Sequence, residues 1–175
     1  AIACSYSGGH FGAELKNAGW VMVIFEERSE KPVYLFIDDD EAHLLDAQAL
    51  WGKSVWETEP AIKTLHQDPE IKVASIGVAG EKMVRYACVV NDLDRAAGRS
   101  GVGAVMGSKQ LKAIAVRGNK GVKVKDMTGF LAAAAVSNKR IAESGSTKRL
   151  AQNGTIPMMN VTNSYGSLPT RHNRE

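Results

Sequence analysis

The sequence predicts an α+β fold in which a β-rich domain is followed by the start of a helical one. Short apolar runs rich in β-branched residues, bounded by Gly, Pro and Asp, recur through residues 1–122. Only brief helix-compatible stretches separate them. After a change of composition at Gly121 to Lys125, the alanine-rich segment MTGFLAAAAVSNKRIAE opens a helical pattern. The predicted domains are therefore residues 1–122 and 123–175.

The elements follow in order. FGAELKNAG, after the cluster Ser7-Gly8-Gly9, reads as a short helix stopped by Gly19, and WVMVIF (Trp20 to Phe25) as a buried strand. Lys31-Pro32 closes a turn before a second strand, VYLFID (Val33 to Asp38). The acidic run Asp38-Asp39-Asp40-Glu41 is the solvated turn of a hairpin leading into AHLLDA. Ser54 and Glu57 fit a capping box for a helix to about Gln67, with Ile62 and Leu65 on its apolar stripe. Pro60 belongs in a first turn, which moves the expected start later and nominates Thr58 as the cap. IKVASIG (Ile71 to Gly77), VRYACVV (Val84 to Val90) and LKAIAV (Leu111 to Val116) complete a first domain expected to be mostly strand. Asp126 is the expected N-cap of the alanine-rich helix. Beyond Asn153 the chain is rich in Asn, Gly, Ser and Pro, with no terminating element expected, and reads as a cut end. The N-terminus, lacking Met and a signal-type apolar region, reads as processed or cut.

The 175 residues, 44% hydrophobic and 23% charged, exclude disorder as the main state, and no apolar run approaches the ~18 residues of a membrane span. Cys4 and Cys88 fit no zinc, CxxC or iron-sulfur spacing, and so few cysteines point to the cytoplasm. A net charge of +3 with 6% aromatics and no arginine-rich helix argues against nucleic acid; a local anionic ligand accounts for the charge as well. His10, His43, His66 and His172 lack metal-binding or paired spacing and take no assigned role, although His10 adjoins the first glycine cluster. Trp20, Trp51 and Trp56 read as core. Lys109, Lys112, Arg117, Lys120, Lys123 and Lys125 form a basic stretch, read first as a solvated face and second as a docking or phosphate-attracting surface.

The chemistry concentrates in DRAAGRSGVGAVMGSKQLKAIAV (Asp94 to Val116). Glycines let backbone N–H groups converge on an anion, Arg95 and Arg99 flank Gly98 with charge-assisted donors, and a helix starting near Gly101 to Gly103 would aim its N-terminus at the same site. Phosphate is the natural ligand, and the alternative is a glycine-rich connector between strands, against which the two arginines argue. The dinucleotide fingerprint fails at Met106, and the P-loop fails because Ser108, not Lys, follows Gly107.

That segment, with SGGHFGAELKNAG, EKPVYLFID, LWGKSVWETE and IGVAGEKMVRYACVVND, resembles the pterin-binding domain of tungsten-dependent aldehyde ferredoxin oxidoreductases. The likeness runs nearly without gaps from Ser7 to about Val116 and returns in LPTRHN. It implies a tungsten or molybdenum bis-pyranopterin cofactor with a magnesium ion bridging the pterin phosphates. A 4Fe-4S cluster would pass electrons to ferredoxin, and aldehydes would be oxidised to carboxylic acids. The resemblance places pterin contacts at Tyr6 and Gly8 and at Arg95, Ala96, Gly98 and Arg99, with the backbone carbonyls of Tyr6 and Ala96 on magnesium. Tyr6 departs from the familiar Asn, so only a carbonyl contact carries over there. The family's C-x2-C-x3-C cluster ligands, its substrate-pocket acid and histidine and its first strands have no counterpart, so the chain reads as an internal fragment. It would work with the remainder of the enzyme or a partner subunit, bind pterin phosphate, and be inactive alone. Exposed sheet edges would favour association, a homo-oligomer included. The alternative is a non-catalytic phosphate-binding or assembly module that keeps the fold without the metal.

Overall fold

The computed structural model describes residues 2–168 and 171. The chain divides into two compact units, residues 1–122 and 123–175. In the first unit, β1 (Val33–Asp38), β2 (Glu41–Asp46), β3 (Lys72–Ser75), β4 (Val89–Asn91), β5 (Arg95–Ala97) and β6 (Leu111–Arg117) form one sheet in the order β2-β1-β6-β3-β4-β5. Only β1 and β6 pair in parallel; the other neighbours are antiparallel. α1 (Phe11–Asn17), α2 (Val55–Leu65), α3 (Val78–Glu81) and α4 (Val102–Ser108) complete the unit, with a short 3-10 turn at Gln48–Leu50.

The central strands are largely apolar because both faces of the sheet are covered, with Lys112 of β6 as a buried exception. On one face Tyr34, Val73, Ala113 and Ala115 pack with Ile62 of α2, Leu50 and Ile71. On the other, Leu35, Ile37 and Val116 pack with Ala18, which follows α1, and with Phe11, Leu15, Trp20, Val23 and Phe25. The Asp39-Asp40 hairpin turn is as expected, and it is also tied down: Lys120 pairs with Asp40, and the Asn119 N–H donates to Asp39 Oδ1 at 2.8 Å.

Several local expectations are corrected. WVMVIF joins no ladder, and β1 is already flanked by β2 and β6. Trp20, Val23 and Phe25 pack on the sheet face while Val21, Met22 and Ile24 are exposed. In VRYACVV only the end is strand, because Val84 and Ala87 spend their amides on turns and the Ala87 carbonyl accepts the Gly103 N–H of α4. The unit is therefore less strand-rich than its sequence suggests. Ser54, not Thr58, caps α2: both halves of the capping box form, while the Thr58 N–H and hydroxyl both donate to the Ser54 carbonyl. Pro60 sits inside the helix at an exposed position, and Trp56, whose carbonyl it leaves without an i+4 amide, is exposed as well. Trp56 itself is 65% exposed rather than core.

The second unit contains α5 (Met127–Glu143), α6 (Gly145–Asn153) and α7 (Met158–Ser164). Asp126 caps α5 by accepting the Gly129 N–H at 2.9 Å, as expected, and Ser144 caps α6 in the same way. α7 corrects the expectation of a tail without structure: Pro157 opens it with a helical φ, and the Thr162 hydroxyl donates back to Met158. None of the described residues of this unit is buried. His172 and most of LPTRHN lie outside the described residues.

Candidate functional site

β5 is an edge strand, and the two segments nominated from sequence meet along it. Asn91, at the end of β4, is buried and makes the central contacts. Its Nδ2 donates to the Gly8 carbonyl at 2.9 Å, and its Oδ1 accepts from the Ser7 hydroxyl at 2.5 Å. Beside it, Asp92 accepts the His10 backbone N–H and lies 3.5 Å from His10 Nδ1. Further along, the Arg99 N–H donates to Ser5 Oγ at 3.0 Å and the Ser100 hydroxyl to the Cys4 carbonyl at 3.4 Å. The strip Cys4 to His10 is thus stitched to Asn91–Ser100 at four points.

The β4–β5 connection turns through Asp92 (φ 49°) and Leu93 (φ 59°), both left-handed. For non-glycine residues such conformations cost on the order of 1–3 kcal/mol each and persist where surrounding contacts over-determine them. Gly9 (φ 91°) completes the fit, since a Cβ there would lie 2.1 Å from Asp92 Oδ2.

The predicted residues fall as follows. Tyr6 is exposed, and Gly8 is exposed with Arg95 alongside. Ala96 of β5 is exposed and pairs with Val90 of β4, and Gly98 has open space around it. Among the described residues the Arg95 and Arg99 side chains have no carboxylate partner within salt-bridge range, although Asp92 and Asp94 stand nearby in the chain. Two free guanidinium groups beside an open glycine and a glycine strip suit an anion with several oxygens, such as a phosphate. The described residues hold no group of three or more His, Cys, Asp or Glu side chains suited to a metal ion, so the fit is to the phosphate and not to a side-chain-ligated metal.

Most of the glycine-rich run does something else. Gly101, Gly103 and Gly107 are buried, and a Cβ on each would meet a backbone oxygen, of Arg85 at 2.1 Å, of Cys88 at 2.4 Å and of Gly80 at 1.9 Å. They let α4 lie against α3 and the Arg85–Cys88 backbone. The basic stretch divides. Lys112 is fully buried against Glu81 and the Lys53 carbonyl, Arg117 bonds Glu14 and Asp68, and Lys109 donates to the Glu27 carbonyl. Lys120, Lys123 and Lys125 are exposed, as expected of solvated cations.

Asn91, Asp92 and Ser5 carry no site signal in the sequence, and Ser7 enters it only as part of the first glycine cluster. Asn-Asp after a strand is ordinary turn chemistry, and its reach to residues more than 80 positions away is visible only in the fold. An apolar cleft of about 450 Å³, lined by Val55, Trp56, Val78, Tyr86 and Cys88 among others, lies elsewhere in the first unit and includes none of the predicted site residues.

A mixed six-stranded α+β domain carrying this glycine strip and arginine pair at its edge defines the class of protein. Residues 1–118 match the family model described as "Aldehyde ferredoxin oxidoreductase, N-terminal domain", and the chain belongs to that family. It is 48% identical to a tungsten-containing aldehyde ferredoxin oxidoreductase of Thermococcus kodakarensis, over 98% of this chain and 28% of that protein. It is 36% identical to an aliphatic sulfonate oxidoreductase, WOR-like subunit, of Pyrococcus furiosus, over 67% of this chain and 21% of that protein. Among solved structures, the active site complex BamBC of benzoyl coenzyme A reductase with 1,5-dienoyl-CoA matches with a TM-score of 0.76 and 38% identity, over 85% of this chain and 22% of that one. The chain thus spans under a third of the length of these relatives.

Proposed function

We propose that residues 1–122 form the pterin-phosphate cradle of a tungsten or molybdenum bis-pyranopterin oxidoreductase. The complete enzyme would oxidise aldehydes to carboxylic acids in the cytoplasm and pass the electrons to ferredoxin. The observation that carries this reading is the meeting of the strip around Gly8 with the segment that carries Arg95 and Arg99 at one sheet edge, with both guanidinium groups unpaired among the described residues. The tungsten in the names of its relatives supports the choice of cofactor.

When bound, the cofactor supplies the two-electron chemistry that adds water oxygen to the aldehyde carbon and removes its hydrogen. This chain's residues bind and orient. Arg95 and Arg99 would neutralise pterin phosphate by charge-assisted hydrogen bonds, Gly8 and Gly98 would admit its close approach, and the Tyr6 and Ala96 carbonyls would face the bridging magnesium. Cluster ligands would come from outside these residues, since the chain holds only Cys4 and Cys88, both free thiols. The chain by itself is accordingly expected to show no turnover. The relatives' names differ in substrate, which supports a shared cofactor-holding domain with specificity set elsewhere.

The test is Arg95→Ala in the full-length protein, with tungsten, molybdenum and pterin measured after anaerobic isolation. Loss of one charge-assisted bond, about 1.5–3 kcal/mol, should lower bound cofactor while activity per remaining metal stays nearly constant. Full metal and pterin with lost turnover would make Arg95 a catalytic residue and overturn the cradle. A native protein devoid of metal and pterin would favour the non-catalytic module.

A further inference from the structure

We infer that Asn91 and Asp92 are positioning residues that clamp the first contact strip against the second and so assemble the candidate site. This rests on the cradle reading for its functional consequence, but the clamp itself stands on geometry. Asn91 is 4% exposed and uses both ends of its amide on the opposite strip, donating to the Gly8 carbonyl at 2.9 Å and accepting from the Ser7 hydroxyl. Its Nδ2 also lies 3.2 Å from Asp92 Oδ2, the oxygen that takes the His10 N–H, so the two side chains orient each other. Both sit where β4 turns into β5, which places Arg95 directly across the ladder from Asn91.

Asp92 and Leu93 are both left-handed, as tight hairpin connections commonly are, and the turn carries the Asp92 carboxylate to the Gly9–His10 backbone. The strip it receives has no ladder of its own: residues 2–8 lie in no helix or strand, and their placement depends on these side-chain bonds with those of Ser5 and Cys4. Releasing the clamp would leave Arg95 and Ala96 on their strand and free Tyr6 and Gly8 to drift.

Asp92→Ala in the full-length protein tests this, with limited chymotrypsin cleavage after Tyr6 and within β6, and with pterin and metal content. The expected result is a roughly tenfold faster cleavage after Tyr6 with β6 still protected, and a parallel fall in bound cofactor. Asp92→Asn, which keeps an acceptor for the His10 N–H, should restore most of both. Ser7→Ala removes a partner of Asn91 from an exposed position, provides the same readout if Asp92→Ala does not fold, and should speed the cleavage to a smaller degree. Unchanged cleavage after Tyr6 in both Asp92→Ala and Ser7→Ala would overturn the clamp. A loosened strip that retains full cofactor, in a protein whose Arg95→Ala variant loses it, would overturn the positioning role and leave the cradle standing. Retention of cofactor by Arg95→Ala would count against the cradle instead, and the clamp is then decided by cleavage alone.

Discussion

Gly107 and Gly98 belong to one glycine-rich run and have opposite surroundings. A Cβ at Gly107 would stand 1.9 Å from the Gly80 carbonyl oxygen, while one at Gly98 would meet nothing within 4 Å. Gly107→Ala should therefore destabilise the full-length protein by about 1–3 kcal/mol through overpacking of α4 on α3. Gly98→Ala should change stability by less than about 0.5 kcal/mol, and denaturant unfolding of the two variants compares them directly. Composition presents these glycines as one anion-binding loop; only their neighbours, distant in sequence, sort packing from site. A second residue-level case is His66, stacked on Phe36 with ring centroids 3.8 Å apart and hydrogen-bonded to the Tyr34 hydroxyl at 2.9 Å. Burial pushes its pKa below the ordinary histidine value, against a smaller opposing pull from Asp38. The unfolded chain then takes up a proton first as pH falls through the ordinary value near 6.5, so the stability His66 contributes is present above that pH and is lost below it. Unfolding free energy measured from about pH 7.5 to about pH 5 should fall less steeply in His66→Gln than in the parent protein.

At the scale of elements, a buried ion pair connects three parts of the first unit. Lys112 of β6 bonds Glu81 of α3 and the Lys53 carbonyl, and Glu81 accepts the Gly52 N–H at 2.9–3.0 Å. The pair fixes α3, on which α4 rests through Gly80 and Gly107, and α4 follows directly on the site loop. Removing one partner strands the other charge out of water. Lys112→Met is expected to cost about 3–5 kcal/mol, whereas Lys112→Met with Glu81→Gln should recover a large part of it, as read by denaturant midpoints. The sequence shows Lys112 only as one cation in a basic stretch, because burial of a lysine depends on a carboxylate brought to it by the fold. WVMVIF fails as a strand for a related reason: strand propensity resides in the segment, but a ladder needs a free neighbour, and β1 has none to offer.

For the whole molecule, the sheet ends on two open strands. β2 is largely exposed, with Leu44 at 64%, and β5 carries the candidate site. None of the described residues of the helical unit is buried. The isolated 175-residue chain should therefore associate or unfold gradually, as measured by sedimentation and thermal denaturation. A monomer with one sharp transition would contradict this.

Local chemistry was enough for the sequence to determine the α+β class, the Asp39-Asp40 hairpin, the Ser54–Glu57 capping box and the Asp126 cap, while the two segments of the candidate site were nominated by their glycines, arginines and resemblance to a family. Each depends on residues within a few positions of one another, or on a motif that travels as a unit. The tertiary structure decided which glycines pack, which lysine is buried, which apolar run pairs as a strand, and that Asn91 and Asp92 join the two segments. Those outcomes are set by partners far apart along the chain, whose approach is fixed by sheet order and packing and leaves no periodic or compositional mark on the sequence.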